Sequence, residues 1–252
     1  MNIEQHIANQ AKQLEVVVDD AALLSETDQH AFAMLRRAGL GASDSSILCG
    51  VNLYKTLDEL LKEKNNKYIT KEEKEVGEKA IVRKGYDLEP IILNKAEECL
   101  KTCEEYTTLY KPEHMYKFRN IDGLSVNYDG VLVKPNNVLV PVEAKLVSKY
   151  GEKYYNKDRT IEENAALETV LESPEMEAHI KKRALRIGIP AYYYTQVQQE
   201  MMGLDAPYGY LAAMFDDSWS FKLYYIPRDN YVIDVIKNKC VENINKIKRD
   251  TI

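Results

Sequence analysis

Two segments rich in β-branched residues, joined by a short turn sequence, constrain the fold of this chain most strongly. The apolar positions alternate with a period of two in residues 124–133 (LSVNYDGVLV) and 138–145 (VLVPVEAK). The residues between them, KPNN, favour a turn. The pattern predicts a β-hairpin. Because apolar residues flank the charged positions of this hairpin on both sides, we expect it to lie in a buried sheet.

Three charged residues interrupt the predicted hairpin. Asp129 lies on the first predicted strand, while Glu143 and Lys145 are two positions apart on the second and therefore share a face of the sheet. Two carboxylates that converge from adjacent strands suit Mg²⁺, and a nearby lysine can hold or deprotonate a water that attacks a phosphodiester. Buried charges are costly without a partner such as a metal. The alternative is a surface pair on an edge strand, since the ExK pattern alone is a weak signal.

Helical patterns surround the hairpin. They predict helices over 27–37, from Ser43 or Asp44 to Leu48, over 57–64, within 72–103 with Pro90 near a start or kink, from Pro190 to Gly203, and along the stripe Ile233, Ile236, Cys240, Ile244 and Ile247. Two more strands are predicted at about 208–215 and 219–226. No repeat or flexible linker divides the chain, so we expect one domain over 1–252 with a charged helical insertion at about 150–187.

Charge limits the kind of surface that could bind nucleic acid. The net charge is −6, from 34 basic and 40 acidic residues, so a site for a polyanion must be a local basic patch. Candidate patches are Arg36 with Arg37, Arg83 with Lys84, and the basic residues of 181–186, although such runs are also typical of solvated helix faces. The 18 tyrosines could stack on bases, but tyrosine also fills half-buried strands.

The compartment is predicted from what the sequence lacks. No apolar run approaches the roughly 18 residues that cross a bilayer, and the first residues show no secretion signal. The four cysteines include no CxxC pair and do not suggest a disulfide framework. We therefore expect a cytoplasmic protein without a membrane partner.

Five short blocks follow one another in order between residue 28 and about residue 215. They are 36–44 (RRAGLGASD) with 47–50 (ILCG), 85–90 (GYDLEP), 129–130 (DG), 143–145 (EAK) and 196–201 (QVQQEM). Together they resemble the YqaJ-like viral recombinases, relatives of lambda exonuclease. The resemblance implies an α/β fold with the PD-(D/E)xK restriction-endonuclease-like core, in which helices flank a central mixed β-sheet, and DNA cleavage that depends on Mg²⁺ or on Mn²⁺ as a substitute.

The resemblance also implies roles for individual residues around the metal. Asp129 and Glu143 would bind it together with the carbonyl of Ala144, and Lys145 would orient the attacking water. Glu89 would bind a second metal or act through water. Its alternative role is that of an acid in the first turn of a helix, where the helix dipole stabilises it.

Three further residues are implied to contact substrate. Gln196 would lie beside Lys145 and touch substrate or water; otherwise it is a polar residue on an amphipathic helix. Arg36 and Ser43 would hold the 5′ phosphate at a DNA end, and a helix N-terminus with a bidentate arginine suits such an anion. The alternatives are that Ser43 is an N-cap and Arg36 a solvated charge.

The implied activity is a 5′→3′ exonuclease on linear double-stranded DNA that produces 3′ single-stranded tails for phage-type recombination. Its implied partners are DNA ends, a strand-annealing protein and further copies of the chain in a ring-shaped trimer. Two alternatives remain, a PD-(D/E)xK endonuclease and a non-catalytic scaffold that binds DNA ends. The complete set of Asp129, Glu143 and Lys145 argues against the scaffold.

Overall fold

The structure is a computed structural model, which describes residues 7, 14–16, 36–66, 80–103, 105–106, 108–135, 137–155 and 175–247. The strands of this part of the chain are β1 (Leu14–Val16), β2 (Thr108–Tyr110), β3 (Tyr116–Phe118), β4 (Ser125–Val126), β5 (Gly130–Val133), β6 (Leu139–Val147), β7 (Tyr208–Phe215) and β8 (Phe221–Pro227). The α-helices are α1 (Ser45–Leu48), α2 (Leu57–Lys64), α3 (Ala80–Cys103), α4 (Met176–Ile187), α5 (Ala191–Leu204) and α6 (Asn230–Ile244).

A mixed sheet with the strand order β2-β5-β6-β7-β8 forms the centre of the fold. β6 pairs with β7 in parallel, and the other neighbouring strands pair antiparallel. A parallel pair needs a long crossover connection, and the chain between these two strands includes α4 and α5. β6 and β7 are buried along most of their length, as expected for strands covered on both faces. The predicted fold class, a central mixed sheet flanked by helices, is confirmed.

The alternation of β6 decides which layer each of its side chains meets. Val140, Val142 and Ala144 face α3, where they join a cluster with Ile92 and Ala96 of that helix. The odd-numbered positions face the opposite layer, where Leu139 and Val147 belong to the core that includes α5. Glu143 and Lys145 are odd-numbered, and this places both on the face that α5 covers.

The predicted first strand of the hairpin is divided between two sheets. β4 pairs with β3 in a small sheet of order β1-β3-β4, and only β5 pairs with β6. The expectation that Asp129 lies on a strand is therefore wrong, because it occupies the bend just before Gly130. The cause is Tyr128, whose buried ring contacts Tyr116 edge-on at 5.7 Å between centroids while its hydroxyl donates to the Glu200 carbonyl at 3.3 Å. These contacts fix the chain where it crosses from one sheet to the other.

The helix α5 is buried along most of its length, and its buried residues include the polar Thr195, Gln198, Gln199 and Glu200. The Gln198 side chain donates to the Pro227 carbonyl at 2.9 Å and accepts from the Asp229 N–H at 2.8 Å. Gln199 donates to the Ser125 carbonyl at 3.1 Å. Hydrogen bonds to backbone therefore tie α5 to the ends of strands in both sheets.

Most predicted helices are present, with shifted ends. Pro190 is the N-cap of α5 rather than its first residue, and the helix ends at Leu204, one residue beyond Gly203, with Asp205 left-handed at φ 52°. Along α6 the predicted stripe is buried, although Ile247 lies past the helix end. Only the last two residues of the predicted helix 27–37 fall within the described part of the chain.

The region predicted as an insertion is only partly described. Residues 152–154 form one 3₁₀ turn and 176–187 form α4, whose Ile180 and Ala184 are buried in the core. Residues 156–174 lie outside the described part of the chain. The insertion and the single-domain boundary stay predictions. None of the helices described is long and apolar enough to span a bilayer.

Candidate active site

Asp129, Glu143 and Lys145 converge at the edge where β5 begins. Gly130 pairs with Val142, so the preceding Asp129 lies level with Glu143 on β6. The Asp129 carboxylate accepts the N–H of Ala144 at 2.9 Å, and its Oδ2 lies 3.7 Å from the Lys145 Nζ. Lys145 also forms an ion pair and hydrogen bond with Glu143. The structure thus brings together the three charged residues predicted from the hairpin.

The charges in this group shift one another's protonation. Glu143 is only 2% exposed, and burial, followed by the negative charge of Asp129, raises its pKa to about 7 against the opposing effect of Lys145. Burial opposes the ammonium form of Lys145, but the carboxylates of Glu143 and Asp129 outweigh this and raise its pKa well above the usual range. The group therefore holds a permanent ammonium beside a carboxyl that titrates near neutral pH.

The helix α5 adds a second layer of contacts. Gln196 donates its side-chain N–H to Glu143, and its Nε2 also lies 3.2 Å from Glu200 Oε1, one turn further along the helix. The family resemblance implied that Gln196 lies beside Lys145, whereas its hydrogen bond in the structure is to the Glu143 carboxylate, which Lys145 also binds. Gln196 thus contacts Glu143 from α5, the helix that covers this face of the sheet.

Glu200 is a further member of this site, to which neither the sequence pattern nor the family resemblance assigns a role. It is 1% exposed, and burial, followed by the charges of Glu143 and Asp129, raises its pKa well above the usual range. Burial and the neighbouring carboxylates therefore both favour the protonated form of Glu200. The signal available in the sequence was its spacing of four residues from Gln196, which places both on one face of a helix.

The donor set fits a hard divalent cation held by few protein ligands. Two carboxylates, from Asp129 and Glu143, converge with the backbone of Ala144 between them. Among the described residues, no group of three or more His, Cys, Asp or Glu side chains gathers in a geometry that could form a full cage. Mg²⁺ does not require such a cage, because it usually keeps several waters and takes one or two carboxylates.

Glu89 is paired with a lysine in the structure. Its carboxylate pairs with Lys111 at 2.7 Å. Tyr110 pairs with Val131, so the next residue, Lys111, lies level with Gly130, one residue from Asp129. The pair therefore flanks the edge where Asp129 sits, and Glu89 projects from inside α3 rather than from its first turn.

Arg36 and Ser43 lie within hydrogen-bond distance of each other in the structure. The guanidinium of Arg36 donates through Nη2 to the Ser43 hydroxyl at 3.1 Å. Ser43 lies in a 3₁₀ turn over Ala42–Asp44, which leads into the four-residue α1. The two side chains, rather than a long helix, form this candidate anion site.

A profile of the YqaJ-like viral recombinase domain matches residues 31–203 of the sequence. The chain belongs to this family. The matched range includes Arg36, Ser43, Glu89 and all members of the cluster around Glu143. None of the curated proteins compared with this YqaJ-like chain matches it in sequence.

Solved structures similar to the YqaJ-like chain include two exonucleases. An alkaline exonuclease from Laribacter hongkongensis is 13% identical, with 87% of this chain and 92% of that chain covered and a TM-score of 0.48. A phage-related exonuclease from Haemophilus somnus 129PT is 15% identical, with 83% and 92% covered and a TM-score of 0.41.

Proposed function

We infer that this YqaJ-like protein is a metal-dependent exonuclease that digests linear double-stranded DNA in the 5′→3′ direction and leaves 3′ single-stranded tails. The observation that carries this inference is the group formed by Asp129, Glu143 and Lys145. It combines two carboxylates that can bind a metal ion with an ammonium that can orient the attacking water, and these groups together can hydrolyse a phosphodiester.

Asp129, Glu143 and the Ala144 carbonyl would hold Mg²⁺ or Mn²⁺. When bound, such an ion polarises the phosphate and lowers the pKa of a bound water. Lys145 holds the attacking water through its Nζ, and the hydrogen bond from Gln196 keeps the Glu143 carboxylate in place. Glu89 contributes to a second ion or to bound water only after it gives up its ion pair with Lys111.

Arg36 and Ser43 supply the contact that makes the enzyme act from an end. A 5′ phosphate would replace their mutual hydrogen bond with charge-assisted contacts to both side chains. Binding energy from this terminal phosphate then positions the next phosphodiester over the carboxylates. Because the chain is acidic overall, this positive charge has to act locally.

The remaining parts of the proposal rest on the family resemblance. We expect the protein to work in the bacterial cytoplasm as a trimer around DNA, beside a single-strand annealing protein that takes the 3′ tail. Sedimentation analysis of the free protein tests the trimer directly.

The activity is tested with linear duplex that carries a 5′ phosphate on one strand only and a different label on each strand, incubated with Mg²⁺ or with a chelator. We expect Mg²⁺-dependent loss of the phosphorylated strand from its 5′ end, persistence of the complementary strand, and no cleavage of closed circular duplex. Glu143→Gln serves as the matched variant, because it preserves size while removing the charge. Cleavage of the circle would identify an endonuclease, and end binding without cleavage would identify a scaffold; either result contradicts the proposal.

A further inference from the structure

A row of tyrosine rings leads from the active-site lysine to the surface. The Nζ of Lys145 lies 5.6 Å from the ring centroid of Tyr193. The ring of Tyr193 meets that of Tyr192 at 4.5 Å between centroids, and Tyr192 meets Tyr54 at 6.0 Å, both edge-on. Tyr54 is 74% exposed. The rings of Tyr193 and Tyr192 thus lie between Lys145 and the exposed ring of Tyr54.

The position of Tyr54 is fixed by its backbone although its ring is exposed. The Asn52 side chain accepts the N–H of Tyr54 at 2.8 Å and that of Lys55 at 2.9 Å. The same amide donates to the hydroxyl of Ser46 in α1 at 2.8 Å. The exposed ring therefore lies on a turn that is hydrogen-bonded to α1, the helix that begins two residues after Ser43.

The active site itself explains why an unpaired base would arrive here. Glu143 is almost completely buried, and the Lys145 and Asp129 side chains are only 24% and 23% exposed, so we expect the strand being cut to separate from its complement when its phosphodiester approaches this group. A nucleotide separated in this way loses stacking with its neighbours, and enzymes that extract nucleotides commonly compensate by stacking the base on aromatic side chains. A paired base inside a duplex offers no free face for such a contact.

We propose that Tyr54 and Tyr192 form a stacking site for an unpaired nucleobase of the strand being cut, next to the active site. The site takes purines and pyrimidines alike, because every base has an aromatic face. It rests on the proposed nuclease function, and it adds to that function a subsite for the base, separate from the phosphate contacts of Arg36 and Ser43. An aromatic ring is required at position 54, whereas the tyrosine hydroxyl is not.

Binding is measured with 5′-phosphorylated duplex that carries 2-aminopurine as the terminal 5′ nucleotide. Ca²⁺ replaces Mg²⁺ so that the DNA is bound but not cleaved. Stacking on a ring quenches 2-aminopurine fluorescence. We expect quenching with the unmodified protein and with Tyr54→Phe, and loss of quenching with about tenfold weaker end binding for Tyr54→Leu. Tyr225→Leu is the matched control, because that ring is 52% exposed on β8 and packs with Tyr208 and Tyr210 instead.

A second substrate separates a base contact from any other role of the ring. When the terminal nucleotides are abasic, Tyr54→Leu should bind as well as the unmodified protein. Equal losses on abasic and normal ends would overturn the proposal and assign Tyr54 to the DNA backbone or to a protein partner. Unchanged quenching in Tyr54→Leu would also overturn it. Because quenching is measured without cleavage, a failure of the nuclease proposal appears separately, as missing Mg²⁺-dependent digestion.

Discussion

Metal binding by the candidate active site should depend on pH through Glu143. The pKa of this carboxyl is raised to about 7 by burial and by the charge of Asp129, and only its ionised form binds a cation. An acid whose pKa is raised is protonated below that value, so the proton competes with the metal on the acidic side. At about pH 6 roughly one Glu143 in ten is ionised, and the apparent affinity should be about tenfold weaker than at about pH 8.

Calorimetric titration with Mn²⁺ in buffers of different ionisation enthalpy measures both the affinity and the protons released. We expect nearly one proton released per ion at about pH 6 and almost none at about pH 8. Lys145→Met should move this transition to higher pH, because the ammonium lowers the pKa of Glu143. An affinity that is constant across this range would refute the assignment of a raised pKa to Glu143.

Glu200→Gln is the control for this experiment. Burial and the charges of Glu143 and Asp129 raise the pKa of Glu200 well above its usual value, and glutamine keeps an oxygen that can accept the Gln196 N–H. The variant should therefore keep the same pH profile. If it abolishes the pH dependence instead, Glu200 is the group that exchanges the proton, and the reasoning about Glu143 fails.

Three further predictions concern catalysis, end recognition and stability. Asp129→Ala and Lys145→Ala should each reduce DNA cleavage at least a hundredfold, on the order of the loss of a positioned catalytic group, while gel-shift assays show retained DNA binding. Arg36→Ala should remove most of the preference for 5′-phosphorylated over 5′-hydroxyl ends in initial-rate assays; a wild-type protein without this preference would contradict the phosphate site. Asp229→Ala should lower the free energy of unfolding by about 3 kcal/mol in urea titrations, because the buried carboxylate accepts hydrogen bonds from His179, Arg183, Tyr194 and the N–H of Val232. A midpoint unchanged from wild type would show that these donors find other partners.

The sequence predicted the parts of the site that follow from local periodicity. The spacing of Glu143 and Lys145 put both on one face of a strand, and the structure confirms that they meet there. The position of Asp129 was predicted less well, because alternation continues through Tyr128 while the chain itself moves from one sheet to another. Such a crossing is decided by tertiary contacts of the Tyr128 ring, which no local pattern reveals.

The buried polar residues of α5 could not be predicted for a different reason. Hydrophobic periodicity identifies a buried face by its apolar residues, but Gln199 and Glu200 are buried with hydrogen-bond partners that the folded chain supplies, the Ser125 carbonyl and the Gln196 amide. In the sequence they look like the solvent side of an amphipathic helix. Their burial follows only from the sheets that enclose the helix.

The attachment of α5 has a consequence for the nascent chain. Gln196 can donate its hydrogen bond to Glu143 only when α5 is packed on the sheet. Gln198 of the same helix forms hydrogen bonds with the backbone of Pro227 and Asp229, which are synthesised later. A ribosome-bound chain that ends before these residues contains Asp129 and Glu143 but lacks the hydrogen bond from Gln196 that orients Glu143. We therefore expect cleavage to begin only after the last strand has emerged and docked, which protects nearby DNA from an incomplete enzyme.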